Sequence, residues 1–283
     1  MANLRAIRNR IRSVKSTQKI TKAMKMVAAA RLRRAQEKVM QSRPYQKKIE
    51  ELFGRLAQAT NEHPLLQKRE VHKRLVLVIA SDRGLCGAFN STLFRTVMKD
   101  LKQSSVETFV IPIGKRAASF LGNRNMKMQE NLRTFWSTFT HDQSLGLAER
   151  LMKLYMDKEF DRIDVYYNEF ISVMNQKPKM MTLLPVSPAV DMDKKEEAIN
   201  YTFKPDQNTI LKSLVPKAID IRLYVAALNS LAGEFGARMT AMDSATRNAG
   251  EMIEDLTLNM NRVRQAAITN ELIEIISGAS AIQ

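Results

Sequence analysis

Cysteine is nearly missing from this chain: Cys86 is the only one in 283 residues. An intrachain disulfide, a CxxC redox pair and a thiolate zinc cluster are therefore excluded. The three histidines, His63, His72 and His141, are scattered and have no metal-ligand spacing. Aromatic residues make up 6% of the chain, and residues 1–44 contain none. No run approaches the ~20 apolar residues that a membrane-spanning helix needs. The opening stretch, MANLRAIRNRIRSVKS, is basic and lacks the apolar core of a secretory signal. It flows without a break into a helical pattern, so it reads as mature structure rather than a transit peptide, and a reducing cytoplasm is the natural compartment.

Acidic residues are missing too, but only at one end, with none before Glu37. Residues 1–60 hold 16 Lys and Arg against 3 Asp and Glu, whereas residues 209–283 hold 7 against 8. Most of the net charge of +16 therefore sits on the first arm. Such asymmetry asks for a large acidic partner: nucleic acid, anionic lipid or an acidic protein surface.

What is present falls into three segments: residues 1–60, 72–200 and 208–283. The first reads as helix from Leu4 to about Gln58, being rich in Ala, Arg, Lys, Gln and Met. Its apolar stripe runs Leu4, Ile7, Ile11, Val14, lapses at Ser16–Gln18, and resumes at Ile20, Met24, Val27 and Ala28. This predicts a phase shift in the packing there, and Pro44 predicts a kink or local break. In the third segment, steps of four and three residues from Leu214 visit Ala218, Ile221, Val225, Leu228, Ala232, Phe235, Met239, Met242, Thr246, Ala249, Ile253, Leu256, Met260, Val263 and Ala267. Only Thr246 is polar, and a 3.5-residue repeat of this length is a coiled-coil seam. Gly233, Gly236 and Gly250 cost a helix roughly 1 kcal/mol each and predict close approach by neighbouring backbone. Two such helices pair seam to seam as an antiparallel two-helix coiled coil. At ~1.5 Å per residue the second outruns the first. Its last turns, from Ile268 to Ile282, are too apolar all round for a lone helix in water and call for an external socket.

The middle segment alternates strand and helix. Leu75–Ala80 reads as a buried central strand, Phe109–Ile113 and Ile163–Tyr167 as further strands, and Lys179–Leu184 as an edge strand. Helical stretches fall around Thr92–Lys102, Lys115–Leu121 and Gln143–Met156. The alternation predicts a mostly parallel, Rossmann-like α/β domain. Asp191–Glu197 reads as a charged surface connection into the last arm.

A sheet of that kind invites a search for chemistry. The loop Ser81–Gly87 has two glycines three apart rather than GxGxxG, and Gly114-Lys115 lacks the upstream glycine of a phosphate-binding loop. Cys86 has no sequence-identifiable His partner and reads as a packing residue. Asp82 and Arg83 read as turn-capping or ion-pairing residues, and the methionines on the seam as gap-filling core. Neither a catalytic constellation nor a cofactor site emerges, so the chain is expected not to be an enzyme by its own residues. A flavodoxin-like enzyme with helical extensions fails on the missing phosphate loop. A basic coiled-coil nucleic-acid-binding protein remains the alternative reading, and it predicts steeply salt-dependent binding.

Three stretches resemble one family. Ser13–Met26 (SVKSTQKITKAMKM) is similar to the N-terminal helix of ATP synthase γ subunits, and Ser81–Asn90 (SDRGLCGAFN) to the hallmark loop of their central domain. Residues 268–281 (ITNELIEIISGASA) fit the C-terminal signature. The resemblance runs from Leu4 to Gln283, and without a redox-regulatory cysteine insert it points to a bacterial enzyme. It implies a rotating shaft in the cavity of a ring of three α and three β subunits, one shaft per complex. The foot would contact the ε subunit and the membrane c-ring on the cytoplasmic face of the cell membrane. It also implies that Met24 and Lys25 meet acidic levers of β, that Arg264, Gln265, Thr269 and Glu271 contact a loop of β, and that Ile275, Ile276, Ala279, Ala281 and Ile282 form a tip in an apolar sleeve. No cofactor and no nucleic acid are implied.

Overall fold

The computed structural model describes residues 2–59, 63–132, 139–187 and 206–280. Helix α1 spans Ala2–Ala59, followed by β1 (Lys73–Ile79), α2 (Phe89–Gln103), β2 (Glu107–Ile113) and α3 (Lys115–Gly122). Then come α4 (His141–Met156), β3 (Arg162–Phe170), β4 (Gln176–Leu184) and α5 (Gln207–Ser280). Packing gathers these elements into two compact units: residues 30–237, and residues 1–29 with 238–283.

The larger unit is built on a four-stranded sheet in the order β2-β1-β3-β4. β1 is parallel to β2 and to β3, and β4 runs antiparallel to β3 at the edge. The unbroken apolar run of β1 is explained by burial on both faces. Leu75, Leu77 and Ile79 join a cluster that includes Phe53 of α1, Leu151 of α4 and Ile219 of α5. Val76, Val78 and Ala80 point the other way, towards Leu93 and Val97 of α2 and Leu121 of α3. The period of two along a strand thus serves two separate cores. The expected mostly parallel sheet and all four of its strands are present, with the edge strand antiparallel. Asp191–Glu197 lies outside the described residues.

A buried ionic clip ties strands to helix. Arg74 donates to Asp164 at 2.6 Å and to Asp100 of α2 at 2.6 Å, while Asp164 also accepts from Thr182 of β4 at 2.7 Å. Burial works against charge on Asp100, but hydrogen bonds from Tyr166 and Arg74 outweigh it and hold the carboxyl below its usual range.

Two expectations about α1 are changed by the structure: of a kink or a local break at Pro44 the break does not occur, and the phase shift is absent. The helix is unbroken through Pro44. Both Pro44 and Met40, whose carbonyl loses its helical partner, are exposed, so water can satisfy that carbonyl. Nor does the packing stripe change phase. Leu4, Ile7, Ile11 and Val14 are followed at the same steps by Gln18, Thr21, Lys25, Ala28, Leu32, Ala35 and Val39, all buried or half-buried. Ile20 and Val27, expected on the stripe, are 57% and 53% exposed.

Candidate functional site

On α5, all sixteen positions of the expected seam from Leu214 to Ala267 are buried or half-buried. Within the larger unit the glycines let neighbours approach, as the sequence suggested, though mainly through side chains. A Cβ on Gly233 would lie 3.1 Å from the Phe89 ring and 3.3 Å from Gln176, and one on Gly236 would lie 3.3 Å from Phe170.

In the smaller unit, the lapse in the apolar stripe is a polar layer inside the seam. Lys25 donates to Asp243 at 2.5 Å, and that bond holds the Asp243 carboxyl below its ordinary value. The Thr21 and Thr246 hydroxyls lie 2.8 Å apart, and Gln18 donates to the Thr246 carbonyl at 3.5 Å. A Cβ on Gly250 would come within 3.2 Å of the Gln18 amide. These residues were not singled out from the sequence as a group. The signal that finds them is the continuing three-four step from Val14 to Leu32, which apolarity alone does not reveal.

The residues expected to meet partners fall on two stretches. Met24 and Lys25 are half-buried beside the polar layer. Arg264, Gln265, Thr269 and Glu271 are all exposed on α5, starting about 30 Å further along the helix than Asp243. Steps of three and four interleave them with apolar side chains: Arg264, Ile268, Glu271 and Ile275 form one row, and Gln265, Thr269, Leu272 and Ile276 the next. Ile268, Leu272, Ile273, Ile275 and Ile276 are 49–68% exposed. Polar and apolar residues thus share one broad outward face. Ala279 is helical, and Ala281 and Ile282 lie outside the described residues.

The loop after β1 is a packed turn. The Asp82 carboxylate accepts from the Lys115 N–H at 3.0 Å at the start of α3, which is a capping role. Cys86 is buried, and its sulfur accepts from the Asn90 amide at 3.3 Å. Leu85 and Gly87 take the left-handed conformation, with φ of 63° and 56°. Beside the loop lies a cleft of about 590 Å³ whose walls include Phe94, Arg95, Arg116 and Arg124. Among the described residues, no three His, Cys, Asp or Glu side chains gather where they could hold a metal ion. Among them, too, no helix is long and apolar enough to cross a membrane.

Comparison with known proteins agrees with this architecture. The ATP synthase family profile matches residues 3–282. The ATP synthase gamma chain of Geotalea daltonii is 46% identical, and that of Geobacter metallireducens 44%, each over the full length of both chains. A chain of the Euglena gracilis mitochondrial ATP synthase, in an OSCP/F1/c-ring assembly, has the same fold. Its TM-score is 0.70 at 20% identity, over 99% of this chain and 95% of that one. A profile match along nearly the whole chain and full-length relatives above 40% identity lead to one conclusion: the chain belongs to the ATP synthase gamma chain family.

Proposed function

We propose that this chain is the central rotor shaft of an ATP synthase, a non-catalytic subunit that couples ion flow through a membrane ring to nucleotide chemistry on partner subunits. The observation that carries the reading is the end of α5, where the large apolar side chains Ile268, Leu272, Ile273, Ile275 and Ile276 are exposed. Leaving this apolar surface in water is unfavourable, and an apolar sleeve around it removes the cost. The basic outer face of α1, with Arg5, Arg8, Arg12, Lys15, Lys19 and Lys22 all exposed, favours acidic protein levers. In this reading three α and three β subunits surround one copy of the chain. Met24, Lys25 and the Arg264–Glu271 face meet β, and the sheet-bearing unit meets ε and the c-ring. The chain is then held peripherally at the cytoplasmic face of a bacterial membrane through the complex.

The mechanism is one of differential contact. A shaft whose faces differ presents a different surface to each β subunit, so three chemically identical sites hold different conformations and affinities. Only a difference in interaction free energy between two conformations can shift their populations. Rotation carries each site through the set in turn. Family membership and the lack of any aromatic residue before Tyr45 weigh against nucleic acid as the acidic partner.

The test is reconstitution of the full chain with α and β subunits, reading assembled mass and ATP hydrolysis with and without residues 268–283. One copy per three α and three β, with slower turnover or weaker assembly for the truncated chain, is the expected result. Failure of the intact chain to join a ring that otherwise assembles would refute the reading and return nucleic acid to consideration.

A further inference from the structure

The polar layer of the smaller unit has an alternative that the sequence makes plain. Between Val14 and Ala28 the observed seam passes through Gln18, Thr21 and Lys25. A second path, through Thr17, Ile20 and Met24, leaves the same Val14 and rejoins the same Ala28. It differs by a turn of α1 of about 100° over this stretch, one residue on a helix of 3.6 residues per turn. On hydrophobicity alone the second path is the better one, because it buries Ile20 and Met24 in place of Thr21 and Lys25. Yet Ile20 is 57% exposed and Thr21 is buried.

We infer that Gln18, Thr21 and Lys25, with Asp243 and Thr246 opposite, are positioning residues that lock the angular setting of α1 and hold Ile20 towards the outside of the coil. The lock is chemical matching across the seam. Two α1 side chains reach their partners across the seam in the observed setting, Lys25 on Asp243 at 2.5 Å and Gln18 on the Thr246 carbonyl at 3.5 Å. The Thr21 and Thr246 hydroxyls meet at 2.8 Å, and each also bonds a carbonyl of its own helix. In the turned setting, Asp243 and Thr246 would face Ile20 and Met24. The half-buried carboxylate would exchange its 2.5 Å bond from Lys25 for apolar neighbours, keeping the longer 3.9 Å pairing with Arg247. A polar residue at a seam position is the best-attested device for fixing register in coiled coils, at some cost in stability. Here it fixes rotation and thereby decides which residues form the outer face. The inference concerns the chain's own coil. It can therefore fail while the shaft reading stands, and its test needs no partner subunit.

The test reads thiol accessibility in the full chain. With Cys86→Ser as background, Ile20→Cys supplies one thiol, exposed in the observed setting and covered in the turned one. Asp243→Leu with Thr246→Leu removes the two matching side chains from α5, leaving only the backbone carbonyl at 246 for Gln18, and leaves the rest of α1 intact. The expected result is maleimide labelling slowed at least about threefold, as the turned setting takes most of the population. Loss of structure would speed labelling instead, so the sign separates the two causes. An unchanged or faster rate overturns the inference. A charge exchange gives the second arm: Asp243→Lys alone should slow labelling, and adding Lys25→Asp should return the parent rate. An exchanged pair as slow as the single variant, or a single variant as fast as the parent, also overturns it.

Discussion

The two ends of helix α5 make opposite use of the same apolar chemistry. Near its start, Val215, Ala218, Ile219, Leu223 and Ala227 are fully covered by the rest of the sheet-bearing unit. At its far end, Ile268, Leu272, Ile273, Ile275 and Ile276 are left open. Over residues 249–267 between them, the seam positions are buried or half-buried while most of the others are exposed. The helix thus passes from surrounded, to half-covered, to bare. The lesson is that an apolar residue in this chain can be covered or left open by its own fold, and composition alone does not distinguish the two.

The sharpest way to break that comparison is to make the same truncation at both ends. Leu223→Ala removes a covered side chain and should cost about 2–5 kcal/mol, with a clear fall in the denaturation midpoint of the isolated chain. Ile273→Ala should change isolated stability by less than ~0.5 kcal/mol and show its effect only as weaker ring assembly or slower hydrolysis. Equal losses in the isolated chain would erase the distinction.

A smaller effect is expected at Gly233. Alanine there gains roughly 1 kcal/mol of helix propensity but pushes a methyl to 3.1 Å from the Phe89 ring. The net result should be destabilisation by about 1–2 kcal/mol, read by urea titration. A stabilised variant would show that the ring moves aside freely.

The smallest effect is one of pH. The folded state holds the Asp100 carboxyl below its ordinary 3.8, so its contribution is present above that value and fades as pH falls through the lower folded one. Asp100→Asn should therefore lower the melting temperature near neutrality and matter progressively less in acid below pH 3.8. A gap between the two proteins that persists at the lowest pH where both fold would contradict this origin.

Much of this fold is written in apolar spacing. The C-terminal seam and the central strand Leu75–Ala80 could both be read because burial there selects side chains of one kind at a fixed period. The N-terminal seam was misread at Gln18, Thr21 and Lys25 because the structure satisfies polar groups across the seam, where a hydrophobic pattern has nothing to register. Ile20 and Val27 misled for the complementary reason, since they are apolar where the coil faces outward. Pro44 interrupts nothing because its freed carbonyl partner lies on an exposed face. The face formed by Arg264, Gln265, Thr269 and Glu271 follows from helical spacing, yet its apolar companions gain meaning only from their exposure. The contacts proposed for that face lie in other chains, and spacing within one sequence carries no record of them.

Rotation itself tests the central claim most directly. With α and β subunits fixed to a surface, a bead is attached to the reconstituted chain through Lys158→Cys, an exposed position of the sheet-bearing unit, in a Cys86→Ser background. The account predicts continuous rotation in one direction when ATP is added, slowed when residues 268–283 are removed. Steady ATP hydrolysis by the same complexes with a bead that only fluctuates about one angle would contradict it.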